Sequence, residues 1–235
     1  MSFEPQSTYG YSPSASATLA AASARVFMQR VYWWMSLGLF LTGGVAFYVA
    51  SSQALFAALY PYMRVMMFGT VGLVFAFSFL AHKVSGPVAA AMFLAYSVVN
   101  GLTFSVLFIV YQLGSLVTAF GITAGAFAAL SAYGTATKKD LSSWGTFLFM
   151  GLVGVLIAGV INIFVGSAML DFVRSCAAVL VFAGLTAYDT QKLREFHASS
   201  GYSSAASLAI SGALTLYLDF INLFLNLLRL MGRRR

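Results

Sequence analysis

The chain has 235 residues, of which 60% are hydrophobic and only 8% are charged. Because soluble domains carry about 25% charged residues, this composition excludes a soluble globular enzyme. The net charge of +7 would suggest a nucleic-acid partner if the protein were soluble. Here the basic residues lie at the ends of apolar runs, as juxtamembrane anchors do, so no nucleic-acid partner is expected.

Long apolar runs define the fold class. Three stretches carry no charged side chain, namely residues 31–63, 84–137 and 141–170, and each is longer than the roughly 20 residues that cross a bilayer. The runs are continuously apolar and do not alternate with polar residues, which excludes a membrane β-barrel. The sequence therefore predicts an all-α polytopic membrane protein whose first partner is the lipid bilayer.

Polar turns divide these runs into seven predicted spans. The stretch 84–137 would form a helix of about 80 Å at 1.5 Å per residue, so it must fold back, and the polar turn is at 111–115. The seven spans are residues 31–50, 56–81, 88–110, 115–136, 144–164, 172–193 and 205–228. Together they form a transmembrane domain over 25–231. A Ser-, Ala- and Tyr-rich tail, predicted to be disordered, precedes it at 1–24, and a basic tail follows at 232–235.

Loop charges predict the orientation. The face that holds the N-terminus carries seven basic residues: Arg25, Arg30, Lys83, Lys138, Lys139, Lys192 and Arg194. The opposite face carries one loop base, Arg174, so the positive-inside rule predicts a cytoplasmic N-terminus. Seven crossings would place Arg229 and residues 233–235 outside, against this rule. Either the last helix enters without fully crossing, or it crosses in spite of the rule.

Two of the six acidic residues lie inside predicted spans. Asp171 is at a turn, with Arg174 three residues later, and is expected to cap the sixth span. Asp189 lies instead within Ala-Tyr-Asp-Thr-Gln near the end of the sixth span, and Asp219 within the apolar seventh span. An ionised carboxylate at the centre of a membrane helix costs about 2.5–3.5 kcal/mol, so each should face the bundle interior and have a partner.

The spacing along the chain indicates which partner. The sixth and seventh spans form an antiparallel hairpin through the polar turn at 198–204, and Asp189 and Asp219 each lie 15 residues from position 204. The two carboxyl groups are therefore predicted at the same depth within about one helical turn of 5.4 Å. A facing functional pair is the favoured interpretation, and separate packing or capping roles are the alternative.

A facing pair would sense pH. Two carboxylates in a low-dielectric site repel each other, which favours a closed state with one shared proton. Loss of that proton leaves a charge of −2 that opens the site or attracts a hard cation. Asp189 and Asp219, with the side-chain carbonyls of Asn222 and Gln191, are oxygen ligands of the kind calcium takes. No cofactor is expected beyond calcium as a permeant or weakly bound ion.

The same residues carry a family resemblance. Two segments resemble the Bax inhibitor-1 family: residues 188–191, Tyr-Asp-Thr-Gln, and residues 216–228, Leu-Tyr-Leu-Asp-Phe-Ile-Asn-Leu-Phe-Leu-Asn-Leu-Leu. The short tail of the chain resembles the tails of bacterial members of that family. The resemblance implies six helices surrounding a central seventh, in the plasma (inner) membrane. It also implies a pH-sensitive calcium leak gated by an aspartate dyad, here Asp189 and Asp219.

One position departs from the family pattern. In bacterial relatives an arginine at the cytoplasmic end of the second helix contacts the dyad, whereas here that helix ends in His82 and Lys83. As a latch partner, Lys83 supplies a charge but not a bidentate fork, and His82 would add a titration near neutrality. Interfacial anchoring is the alternative role for both residues.

Three other functions are alternatives to the leak. An intramembrane aspartyl protease needs Gly-x-Gly-Asp on its seventh helix, where this chain has Leu-Tyr-Leu-Asp, and a retinal protein needs a lysine in that span. We therefore expect no enzymatic activity. The remaining alternative is a non-transporting regulator that binds a membrane protease or a cell-death or stress factor. Gly121-x-x-x-Gly125 is predicted to be a helix-packing face within the chain, and a site for a partner helix is the alternative.

Overall fold

The computed structural model describes residues 13–81, 83–196 and 204–235. Its helices are α1 (Pro13–Ser51), α2 (Gln53–Leu59), α3 (Met63–Leu80), α4 (Gly86–Val110), α5 (Leu113–Ala136), α6 (Ser142–Val165), α7 (Ala168–Phe196) and α8 (Ala205–Met231). A 3-10 turn at Tyr60–Tyr62, which contains Pro61, joins α2 to α3. These two helices form one span, so the described residues contain seven helices long and apolar enough to cross a membrane, as predicted.

The first helix starts earlier than the sequence predicts. α1 begins at Pro13, so residues 13–24 are helical where a tail without regular structure was expected. This stretch is rich in alanine, the residue with the highest helix propensity, and it extends the apolar helix that follows it. Residues 1–12 of the predicted tail lie outside the described part of the chain.

The seventh span, α8, occupies the centre of the bundle. Its most apolar stretch is 72% buried, against 11–33% for the corresponding stretches of the other six spans. α8 packs against α1, α4, α5 and α7, and the remaining helices complete the surrounding layer. The predicted arrangement of six helices around a central seventh is therefore confirmed.

A buried aromatic and polar junction holds α8 against α1 and α4. The Tyr217 hydroxyl lies 2.7 Å from the Thr42 hydroxyl, and Thr42 donates to the backbone oxygen of Ser97 at 2.9 Å. The Tyr217 ring makes edge contacts with Phe93 and Tyr96, at centroid distances of 5.8 and 5.7 Å. Since Tyr217 is completely buried, its hydroxyl needs such a partner.

A second contact joins α8 to the end of α3. The Ser207 hydroxyl, in the first turn of α8, donates a hydrogen bond to the backbone oxygen of Ala81. Ala81 directly follows α3 and is 1% exposed, and Ser207 is completely buried. The end of α3 and the start of α8 are therefore linked.

The prediction that Gly121 and Gly125 form a packing face within the chain is wrong. A Cβ atom at either position would meet no atom of the described residues within 4 Å. The buried stripe of α5 instead runs through Thr123, Phe127 and Gly134, so the two glycines lie on another face of the helix. The i, i+4 spacing shows that the two residues share a face, but it does not show which way that face points.

The basic C-terminal tail ends on the face opposite the start of α1. Arg235 N–H donates to Val110 O at 2.9 Å, and Gln112 N–H donates to Arg233 O at 3.1 Å. These bonds place the tail on the α4–α5 turn. Three spans lie between the start of α1 and this turn, so the turn is on the other side of the bundle. We call this side of the bundle the opposite face, and the side where α1 starts the N-terminal face. α8 therefore runs from the N-terminal face to the opposite face, as the alternative with a complete crossing requires.

Reporter fusions should give opposite signals at two positions in the chain. Alkaline phosphatase is active only outside the cytoplasm, and green fluorescent protein fluoresces well only inside. With the cytoplasmic N-terminus that the loop charges predict, a fusion after Arg235 should show phosphatase activity and little fluorescence. A matched fusion after Ser200, which follows six spans, should show the reverse. Equal signals at both positions would contradict a complete crossing by α8.

Candidate functional site

Asp189 and Asp219 meet at the interface between α7 and α8. Their carboxyl groups lie within hydrogen-bonding reach of each other. Asp219 is 4% exposed, Asp189 is partly exposed, and Asp219 Oδ2 is buried without a hydrogen-bond partner among the described residues. The structure thus brings together the two intramembrane carboxyl groups that the hairpin spacing placed at one depth.

Hydrogen bonds from α7 to α5 fix the helix that carries Asp189. Thr190 donates to the Ser131 hydroxyl at 3.3 Å, and the Arg194 guanidinium donates to the backbone oxygen of Thr135. Both donors are within five residues of Asp189. The position of its carboxyl group therefore depends on the joint between α5 and α7.

Gly134 lets the two helices approach at this joint. A Cβ atom there would lie 3.1 Å from the carbonyl carbon and 3.2 Å from the Cα of Ala187, and closer still to the Ala187 oxygen. Contacts under 3.4 Å with backbone cannot be relieved by a rotamer change. Gly134 therefore permits a backbone-to-backbone approach two residues before Asp189, a role that its isolated position in the sequence did not reveal.

Gln191 does not join the carboxyl groups as an ion ligand. Its Oε1 accepts from Leu141 N–H at 2.8 Å, and its Nε2 donates to Lys139 O at 2.9 Å. Two residues along an α-helix correspond to a rotation of about 200°, so Gln191 points away from Asp189. Its amide instead holds the loop between α5 and α6.

Polar side chains continue from Asp219 along α8. Asn222 follows one turn later and donates to Leu218 O at 2.8 Å, which leaves its carbonyl oxygen as a candidate ion ligand. Asn226 donates to Asn222 O at 2.7 Å, while its own Oδ1 is buried without a partner, as is the hydroxyl of Ser175 on α7. Ser175 carries no signal of a site in the sequence, because one serine in an apolar run is usually a packing residue.

Of the two predicted latch partners, the described one, Lys83, is not at the carboxyl pair. Lys83 is exposed and forms no ion pair with a described carboxylate, and His82 lies outside the described residues. The basic group that acts on Asp189 is instead Lys192, one helical turn later, whose Nζ lies 5.3 Å from the centre of the Tyr188 ring. The i, i+3 spacing could have identified Lys192, which the sequence analysis counted as a loop base.

These features define a helical membrane protein with an acidic pair at the core of a seven-span bundle. The sequence profile of the family described as "Inhibitor of apoptosis-promoting Bax1" matches residues 24–235. The chain therefore belongs to the Bax inhibitor-1 family, in agreement with the resemblance noted in the sequence.

Bacterial relatives support the assignment over most of the chain. The Escherichia coli K12 "Inner membrane protein YbhL" is 44% identical over 221 residues, covering 91% of this chain and 94% of the relative. An uncharacterized protein of Deinococcus radiodurans is 44% identical over 212 residues, covering 89% and 91%. A third, uncharacterized relative in Borreliella burgdorferi is 40% identical over 214 residues, covering 89% and 92%.

Proposed function

We propose that this chain is a pH-sensitive calcium leak channel gated by Asp189 and Asp219. The observation that carries the proposal is the close approach of two carboxyl groups between α7 and α8, inside a membrane-spanning bundle. Intramembrane carboxyl groups are costly and usually functional. The name of the Escherichia coli relative gives its location as the inner membrane, and we place this chain there also, with its N-terminus in the cytoplasm.

The gate follows from the charge of the pair. With one shared proton, the carboxyl groups can hydrogen-bond and keep α7 and α8 together, which is the closed state. Loss of that proton leaves two negative charges, whose repulsion is strong in a low-dielectric environment. The helices then separate or a hard cation enters. Calcium flux should therefore rise as the pH rises.

Buried oxygen atoms in and beside the pair support a cation as the permeant ion. Asp219 Oδ2, Asn226 Oδ1 and Ser175 Oγ are buried without a hydrogen-bond partner in the described chain. Calcium is bound by carboxylate, carbonyl and water oxygens. Asp219 and Asn226 are seven residues apart, or two turns of α8, so these atoms extend the oxygen-rich zone towards the opposite face.

Calcium flux into liposomes that contain the purified full-length protein tests this function. A calcium-sensitive dye inside the vesicles should report a flux that increases across about pH 5 to 8, the range in which a carboxyl pair would share or lose a proton. Protein-free vesicles are the control. Absence of flux at every pH from folded protein would contradict the channel and favour a non-transporting regulator of a membrane protease or stress factor. A flux that falls as the pH rises would contradict closure by the shared proton.

A further inference from the structure

A cavity of about 410 Å³, lined by both charged and apolar residues, lies on the opposite face, where α6 and α8 end and α7 begins. Its charged residues are Asp171 and Arg174 from the start of α7, and Arg229 from the last turn of α8. The remaining lining comes from the last turns of α6: Leu156, Gly159, Val160, Asn162 and Ile163. No residue of the carboxyl pair contributes to it.

The cavity carries an uncompensated positive charge. Asp171 Oδ1 lies 2.7 Å from Arg174 Nη2 and 3.7 Å from Arg229 Nη1, so one carboxylate faces two guanidinium groups. The Arg174 side chain is 14% exposed. Among the described residues, its buried Nε donor has no acceptor, and the two guanidinium groups share the single carboxylate of Asp171.

Asp171 has a different role from the one that the sequence suggested. Ser167, not Asp171, caps the start of α7, because its hydroxyl accepts from Leu170 N–H at 3.2 Å. Asp171 lies too far into the helix to cap it and instead holds the two arginines side by side. The arrangement therefore presents two guanidinium groups in fixed positions.

The wall of the cavity is apolar and faces outward from the bundle. Leu156, Val160 and Ile163 are 60%, 56% and 77% exposed, and they lie on a helix long and apolar enough to cross the membrane. In a bilayer such side chains contact lipid tails. Arg174 lies within the first two turns of α7 and Arg229 in the last turn of α8, and the ends of membrane-spanning helices are where polar headgroups are met. The cavity thus combines a basic headgroup region with an apolar path for acyl chains.

We propose that this cavity binds the phosphate group of an anionic phospholipid, with an acyl chain along α6. Guanidinium groups bind phosphate oxygens through paired charge-assisted hydrogen bonds, and basic pockets between membrane helices bind anionic headgroups. Phosphate would supply both the missing acceptor and the missing charge. Free phosphate offers the same headgroup chemistry, but it makes no use of the apolar wall.

Lipid retention by the full-length protein in detergent, measured by native mass spectrometry, tests the proposal. The wild type should retain phosphatidylglycerol in preference to phosphatidylcholine of the same chain length. Arg229→Gln and Arg174→Gln should each lower this preference about five-fold, the effect of one basic residue near an anionic lipid. Asp171→Asn should raise it, because the substitution removes a negative charge beside the phosphate.

Arg64→Gln is the matched control, since Arg64 is an exposed arginine in the first turn of α3 that does not line the cavity. It should leave the preference unchanged. An equal loss in Arg64→Gln would show that only overall charge matters and would overturn the site. A decrease in Asp171→Asn would show that the three residues are only a structural ion-pair cluster.

A second experiment distinguishes binding of lipid from binding of free phosphate. Phosphatidylglycerol should raise the melting temperature of the wild type, and inorganic phosphate at the same concentration should not. An equal rise with inorganic phosphate would overturn the assignment to a lipid. Arg229→Gln is the more informative variant here, because its side chain is 36% exposed and its loss leaves the Asp171–Arg174 pair intact.

Discussion

Asp189→Asn and Asp219→Asn are each expected to abolish the pH dependence of calcium flux in liposomes. The slope of log flux against pH, up to about 1 for a gate that loses one proton, should fall to about 0. An asparagine cannot gain or lose a proton, and its neutral amide resembles the protonated carboxyl group. Flux should therefore stay near the low-pH value of the wild type.

Asp140→Asn is the matched control for this pair. Asp140 is an exposed carboxyl in the loop before α6. Ser142 N–H donates to its Oδ1 at 2.8 Å, and this hydrogen bond lowers the pKa of the Asp140 carboxyl below its usual value. Asp140 therefore stays ionised throughout the measured range, and its substitution should preserve the wild-type slope. A wild-type slope in both dyad variants would eliminate the gating role of Asp189 and Asp219.

Gly134→Ala should be the most damaging single-methyl substitution in α5. The added methyl would press against the backbone of Ala187, so α5 and α7 would have to move apart. Overpacking of this kind costs about 1–3 kcal/mol of unfolding free energy. Because α7 carries Asp189, its displacement should change the calcium flux as well as the stability. Thermal unfolding in detergent, followed by circular dichroism, measures the first effect, and the liposome assay measures the second.

Gly125→Ala provides the comparison on the same helix. A Cβ at Gly125 meets no described atom within 4 Å, so the methyl adds no clash, and alanine has the higher helix propensity by about 1 kcal/mol. Its melting temperature should equal or slightly exceed that of the wild type. Equal melting temperatures for Gly134→Ala and Gly125→Ala would contradict the close approach of α5 and α7.

Hydropathy predicted the span count because each span must bury about 20 residues in lipid, whatever its neighbours are. The shared depth of Asp189 and Asp219 also followed from the sequence. In a hairpin of two straight helices, residues that are equally far from the turn lie at the same depth. The rotation of each helix about its own axis could not be predicted in this way. Contacts with other helices set the direction in which each side chain points. Gln191 points to the α5–α6 loop and Gly121 faces away from the bundle for this reason.

Charged residues at helix ends were predicted less well for a related reason. Asp171 and Arg174 could be paired from their spacing, but Arg229 comes from a helix that is distant in sequence. Its approach depends on α8 reaching the opposite face of the bundle, which the loop charges did not favour. Ser175 and Gly134 likewise gain importance only from what lies opposite them on a neighbouring helix.

The hydrogen bond from Ser207 to Ala81 has a practical consequence for spectroscopy. It ties α3, whose span is only 11% buried, to the helix that carries Asp219. A spin label or fluorophore at Phe79, which is 69% exposed near the end of α3, would therefore follow displacements of α8 without entering the core. Label movement that tracks pH in the wild type and stops in Ser207→Ala would give a real-time readout of the central helix.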